Sequence, residues 1–237
     1  MRVIALDSTT RTGSVALVVD QRIVDERRGD GSRTHAERLP MELVALADAH
    51  HVTLGDVDLY AVASGPGSFT GLRIGIATIQ GLAFVHNRRV FGISALEALA
   101  HAASSDLAPG VLIAVWMDAH RRDVFAAAYR VTAAAPGSAA RLEQVDGPSV
   151  DAPASILARW REQLPAQPMI FVGDGAELFA GEVHQAMPSA AIMPPPLLAG
   201  TIGRLAAARS LEAVHPAAIR PLYVRRPDAE IARDAKS

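Results

Sequence analysis

The chain has 237 residues, of which 50% are hydrophobic and 20% charged, with a formal net charge of −2 and no cysteine. That balance excludes disorder over most of the length, and the absence of thiols excludes a disulfide scaffold, a thiolate zinc site, an iron–sulfur cluster and a cysteine nucleophile. So small a net charge also argues against a protein that wraps nucleic acid unaided. Apolar runs fall well short of the roughly 18 residues of a membrane helix. Residues 1–7 lack the apolar length and cleavage pattern of a signal peptide, so a soluble cytoplasmic protein is expected. The only lysine is Lys236, which nearly excludes lysine-dependent mechanisms.

Residues 2–6 form an apolar strand ending in Asp7, and 14–19 a second. Residues 20–21 make a tight connection into a third strand, 21–26, followed by the loop Gly29-Asp30-Gly31-Ser32. Thr34 and Glu37 have capping-box spacing and open a helix with Ala36, Leu39, Leu43 and Leu46 at helical intervals. Pro40 inside it is expected to kink it. Next come a strand at 59–63, a glycine-rich turn, a helix at 69–84, a strand at 90–93 and a helix to 103 capped by Ser94. After the loop 106–110 the order restarts. Residues 111–118 end in Asp118, and strands follow at 124–131 and 142–145. Pro153 opens a helix to 164; then come a strand at 169–172, Gly173-Asp174-Gly175 with a helix to 186, a strand at 191–193, the break Pro194-Pro195-Pro196 and a last helix at 200–211.

Both halves read β-β-β-α-β-α-β-α, which predicts two lobes, 1–105 and 106–237, each a mixed sheet with helices on its faces. Asp7 and Asp118 occupy the same place, the end of each first strand. This plan resembles the duplicated ribonuclease-H-like fold of actin, sugar kinases and heat-shock ATPases, where the two hairpin turns face each other and hold phosphates. Asp7-Ser8-Thr9-Thr10 with Gly13 is similar to the first phosphate hairpin of that group. The second, Asp118-Ala119-His120-Arg121-Arg122-Asp123, lacks the expected glycine and would crowd a phosphate. Asp7, Ser8, Thr9 and Asp118 are therefore a candidate phosphate site of vestigial kind.

The sharpest segment is Ser64-Gly65-Pro66-Gly67-Ser68-Phe69-Thr70-Gly71-Leu72-Arg73-Ile74-Gly75, between a strand and a helix. Such a turn can bind an anion through backbone N–H groups, or can serve close helix–strand packing. It is not a Walker A loop, a dinucleotide fingerprint or a nucleophile elbow. Gly71, Gly75, Ala77 and Gly81 place small residues one turn apart, which suits packing on the chain's own sheet or against a partner helix. The eight histidines include no H-E-x-x-H and no pair four residues apart, so no metal site is expected. Arg220, Arg225, Arg226 and Arg233 make a basic C-terminal stretch, read as a solvated face or as RNA contact within an assembly.

Ile4-Ala5-Leu6-Asp7-Ser8-Thr9, Ser14-Val15-Ala16-Leu17, His35-Ala36-Glu37-Arg38-Leu39-Pro40, the glycine-rich segment, Asp118-Ala119 and Pro221-Leu222-Tyr223-Val224-Arg225 together resemble the bacterial TsaB (YeaZ-type) family. The match is close in the first half and looser in the second; His120 stands where the family commonly has arginine. The resemblance implies a role in making threonylcarbamoyladenosine next to the anticodon of tRNA. It also implies a non-catalytic scaffold without cofactor, paired with its catalytic paralogue TsaD and joined by the ATPase TsaE, or self-paired when alone. TsaD-type proteins bind a metal through H-x-x-x-H; here His35 is followed by Leu39, so that site is absent. Pairing through helices 34–50 and 69–84 places Leu39, Leu43, Leu46, Gly71, Gly75 and Thr78 at the partner interface. An actin-like nucleotide-binding enzyme and a glycoprotease-like metallopeptidase are the alternatives.

Overall fold

In each half a three-stranded meander is followed by two crossover connections. The computed structural model describes residues 1–133, 142–165 and 167–225. The first half contains β1 (Arg2–Asp7), β2 (Ser14–Val19), β3 (Arg22–Arg28), α1 (His35–Ala49), β4 (Leu59–Gly65), α2 (Phe69–Val85), β5 (Arg89–Ser94) and α3 (Ala95–Ala103). The second contains β6 (Leu112–Asp118), β7 (Val124–Val131), β8 (Leu142–Asp151), α4 (Pro153–Gln163), β9 (Met169–Val172), α5 (Asp174–Leu178), α6 (Ala180–Ala186), β10 (Ala191–Met193) and α7 (Ala199–Ala208).

The sheets run β3-β2-β1-β4-β5 and β10-β9-β6-β7-β8, the same order in both halves. The hairpin strands are antiparallel and the crossover strands parallel in each. This is the duplicated ribonuclease-H-like, actin-like α/β fold that the element order predicts. Asp7 pairs with Ser14 and Asp118 with Val124, so the two aspartates close equivalent hairpins.

The central strands read as continuous apolar runs because both faces of each sheet are covered. Ile4, Leu6, Val15, Leu17, Tyr60 and Val62 face α1 and α2, whereas Val3, Ala5, Ala16, Val18, Leu59 and Ala61 share a core with α3 and α7. On the second sheet, Ile113, Val115 and Met117 join that shared core, and Leu112, Ala114 and Trp116 pack with α4 and α6. Helix α7, from the second half, thus lies on the first sheet. Its N-terminus is tied there: Leu198 N and Ala199 N donate to Ser14 Oγ at 3.3 and 3.0 Å, and Gly200 N donates to Glu26 Oε1 at 2.7 Å.

Several elements differ from expectation. Helix α1 runs unbroken through Pro40; Pro40 and Ala36 are both exposed, so water can serve the carbonyl that proline leaves unpaired. The capping box is present, with Thr34 N donating to Glu37 Oε2 at 2.7 Å. Ser94 precedes α3, but its side chain makes no capping bond. The third strand of the second half continues to Asp151 because it pairs along the whole of β7. The helix expected from 174 breaks at Phe179, which packs partly buried on the core of the second sheet. The last helix ends at Ala208, and residues 210–212 tighten into a 3-10 turn.

Candidate functional site

The hairpin turns of β1–β2 and β6–β7 meet at a cleft between the lobes, where Thr9, Thr10, Asp118, His120 and Asp174 line a cavity of about 630 Å³. Asp7 is buried, and its Oδ1 accepts from Thr9 N at 2.9 Å and Thr9 Oγ1 at 2.7 Å. Asp118 Oδ1 accepts from His120 N at 2.8 Å, and Asp174 Oδ1 accepts from Asp118 N at 3.0 Å and Gly175 N at 2.9 Å. Thr9 N, Asp118 N, His120 N and Gly175 N are therefore spent on the chain's own carboxylates. Burial raises the pKa of Asp7 and Asp174; their hydrogen bonds oppose this, while Asp174 pushes Asp7 up and Asp118 pushes Asp174 up. A polyphosphate placed on this floor meets the carboxylates of Asp118 and Asp174 and no free glycine turn. Instead of glycine, His120, Arg121 and Arg122 hold left-handed φ of 58°, 56° and 66°.

The glycine-rich segment proves to be a packing joint. Ser68 N donates to Thr9 O at 2.8 Å, and Leu222 N donates to Ser64 O at 2.7 Å, so the loop is clamped between the first hairpin and the C-terminal segment. Gly67 has φ of 154°, and a Cβ there would stand 2.6 Å from Thr9 Cβ. At Gly71 a Cβ would stand 2.2 Å from Ser8 O, and at Gly75 2.0 Å from Ser8 Oγ. Both glycines let helix α2 touch the β1–β2 turn. Ser8 and Thr9 are buried, and the Ser8 hydroxyl has no hydrogen-bond partner among the described residues.

This corrects the expected interface set. Leu39, Leu43 and Leu46 are fully buried in the core of the first sheet, and Gly71 and Gly75 face the chain's own turn. None of these five side positions is free to meet a partner. Thr78 is half-buried and its Oγ1 donates to Ile74 O at 2.8 Å. The outward face belongs to other residues: Met41 and Val44 on α1, and Ala77, Gly81, Phe84 and Val85 on α2. Met41, Phe84 and Val85 are 66%, 71% and 76% exposed, and a Cβ at Gly81 would meet nothing within 4 Å. The sequence signal for Met41 and Val44 was a second apolar line on α1, between the leucines.

The family model for TsaD, tRNA N6-adenosine threonylcarbamoyltransferase, matches residues 29–233. The chain belongs to that family. An uncharacterized protein of Mycobacterium tuberculosis is 33% identical over 232 residues, covering 96% of this chain and 93% of the relative. The tRNA threonylcarbamoyladenosine biosynthesis protein TsaB of Escherichia coli is 35% identical over 131 residues, 55% of each chain. Among solved structures, YeaZ from Pseudomonas aeruginosa superposes with a TM-score of 0.73 at 28% identity, over 94% of this chain and 99% of that one. Within the TsaD family the chain is of the TsaB/YeaZ type.

The metal pair of TsaD-type members does not fit these residues. Leu39 is buried among apolar side chains, and both nitrogens of His35 are engaged: Nε2 with Thr10 O at 3.0 Å and Nδ1 with Arg38 Nη2 at 2.7 Å. Arg38 is itself buried, paired to Glu42 at 2.6 Å and donating to the Thr12 carbonyl. The pair staples the first hairpin to α1. Burial, then Arg38, hold the His35 pKa below its ordinary value, although Thr10 and Glu42 oppose them. Nε2 thus carries the proton and Nδ1 accepts from arginine. Among the described residues no group of three His, Cys, Asp or Glu side chains could hold a metal ion, and no helix is long and apolar enough to cross a membrane.

Sequence reasoning missed Asp174, Arg38 and the C-terminal clamp. Arg225 is no solvated face: it donates to Ala119 O at 2.7 Å and pairs with Asp123, tying the C-terminal segment to the β6–β7 turn. Arg220 donates to Ile219 O at 3.0 Å. Arg226, Arg233 and Lys236 lie outside the described residues.

Proposed function

We propose that this chain is a non-catalytic partner subunit in forming threonylcarbamoyladenosine next to the anticodon of tRNA. It pairs with a TsaD-type transferase through the outer face of α1 and α2, a TsaE-type ATPase joins the assembly, and a second copy takes TsaD's place when TsaD is absent. The observation behind this reading is the open apolar face of Met41, Val44, Ala77, Phe84 and Val85, with Gly81 leaving room for a neighbouring helix. The names of the TsaB relatives supply the reaction. The cleft supports the absence of catalysis, since its carboxylates are spent on backbone N–H groups and no described side chain there stands ready to activate a nucleophile.

Co-purification with a TsaD-type protein, with tRNA modification assayed with and without this chain, tests the proposal. Phe84→Asp and Met41→Asp should stay folded, because both positions are exposed. Burying an unpaired charge costs several kcal/mol, so each should lower pairing affinity at least about tenfold. Folded variants that pair as tightly as the parent would remove this face from the interface. ATP binding by the isolated chain would favour an actin-like enzyme. Turnover by the chain alone, abolished by a chelator, would favour a peptidase.

A further inference from the structure

We infer that a groove along the mouth of the interlobe cleft, from Arg11 and Arg33 to Tyr223 and Arg225, binds a single-stranded stretch of RNA. The inference rests on the proposed function only in naming tRNA as the source of that stretch. Two cavities, of about 630 and 490 Å³, share Ser68, Thr70, Asp118 and His120, so they form one continuous groove. Arg11 and Arg33 line one end, Arg121 and Arg225 the other. Two aspartates, Asp118 and Asp174, lie along it, and both accept hydrogen bonds from the chain's own backbone. At its mouth the groove thus sets four arginines against Asp118, Asp174 and the Asp123 that pairs with Arg225, on a chain whose net charge is −2.

The wall at the second end is aromatic. Phe69 and Tyr223 are 39% and 38% exposed, with ring centroids 5.4 Å apart and planes tilted by 30°. The Arg73 guanidinium sits 3.9 Å from the Phe69 centroid, and its Nε donates to Tyr223 Oη at 3.0 Å. These contacts fix both rings, so stacking a base on them orders little that is not already ordered. Cationic side chains and an aromatic wall in one groove are how sequence-tolerant single-strand binding is built.

The β6–β7 turn adds an independent observation. Left-handed φ at three successive non-glycine residues, His120, Arg121 and Arg122, is strained backbone. Glycine would relieve it, yet exposed basic side chains stand there, on the groove's rim. An extended acidic peptide would engage the arginines and leave the rings unused; RNA engages both.

The test is fluorescence anisotropy of the full chain with a fluorescein-labelled anticodon stem-loop RNA, titrated over a salt series. Binding of the chain alone should be weak, about 10⁻⁴ to 10⁻⁶ M at physiological salt, and tighter at low salt. Arg11→Glu and Arg33→Glu, both at exposed positions, should each weaken binding about 5–10-fold and lower the salt slope by about 1 or more. Tyr223→Ala should weaken it about 5-fold or more, and Tyr223→Phe should restore it. Arg161→Glu, on α4 beside a separate cavity, should change nothing. The inference fails if Arg11→Glu and Arg33→Glu bind as the parent does, or if Arg161→Glu loses as much as they do. It also fails if poly-glutamate competes as well as RNA while Tyr223→Ala is neutral, which would mark an acidic-peptide site. Modification assays separate the two readings. A parent chain that supports modification while groove variants keep full RNA binding sinks the groove alone. A parent that supports no modification, with RNA binding still lost in the groove variants, sinks the proposed function alone.

Discussion

Replacing Gly75 with alanine puts a methyl group where Ser8 already stands. The new Cβ would lie 2.0 Å from Ser8 Oγ and 2.9 Å from Ser8 Cβ. The hydroxyl can rotate away. The Ser8 Cβ cannot, because Thr9 N and Oγ1 hold the turn to Asp7. Overpacking of this kind costs about 1–3 kcal/mol, and exchanging glycine for alanine inside a helix returns about 1 kcal/mol. The net loss should be up to about 2 kcal/mol, or up to about 8 °C in Tm for a chain of this size. Ser8→Gly in the same chain removes both clashing atoms, so a double-mutant cycle should show about 1–2 kcal/mol of favourable coupling. Gly81→Ala is the control: with nothing within 4 Å, it should gain up to about 1 kcal/mol. Urea and thermal melts by circular dichroism give the stabilities, and a TsaD pull-down runs beside them. If Gly75→Ala is as stable as Gly81→Ala and loses only partner binding, Gly75 faces the partner and the packing account is wrong.

Leu43→Ala should cost about 2–5 kcal/mol in urea melts and unfold the chain before it affects any pairing. The buried His35 ring is neutral in the fold and titrates below its ordinary value, so the unfolded chain takes up its proton first as pH falls. Its stabilisation is complete above about pH 7 and is lost as pH drops through the imidazole range. His35→Gln should flatten Tm between about pH 7 and 5 relative to the parent, and a parallel pair of curves would refute this. Arg225→Ala removes the contacts to Ala119 and Asp123 and should cost about 1–2 kcal/mol, read as a lower Tm with an unchanged far-ultraviolet spectrum.

The fold was legible because its signals are local and repeated. Apolar runs ending in Asp7 and Asp118, a capping box at Thr34 and turn residues between strands all sit within a few positions of one another. Facing was the part that sequence hid. Leu39, Leu43 and Leu46 show that a helix has an apolar stripe, but a stripe looks the same whether a sheet or another protein covers it. Gly71 and Gly75 are likewise silent about which backbone comes close; only the placement of Ser8 decides. Asp174 joins Asp7 and Asp118 through the meeting of two hairpin turns that lie more than 100 residues apart in the chain. Arg38 gave no sign of its burial, since a lone arginine on a helix usually points to water.

Helix α7 closes over Val3, Ala5, Ala16 and Val18, residues made well before it. A nascent chain that has just passed residue 105 has α3 over β4 and β5, but presents the β1–β2 part of that face to the surroundings. At about 5–20 residues per second, the wait for residues 199–208 is roughly 5–20 s. During that interval the exposed face is a target for holdase chaperones and proteases. A cut anywhere between the halves leaves an amino-terminal fragment with β1 and β2 bare on the side that α7 covers, and adding the carboxy-terminal fragment back is what should rescue it.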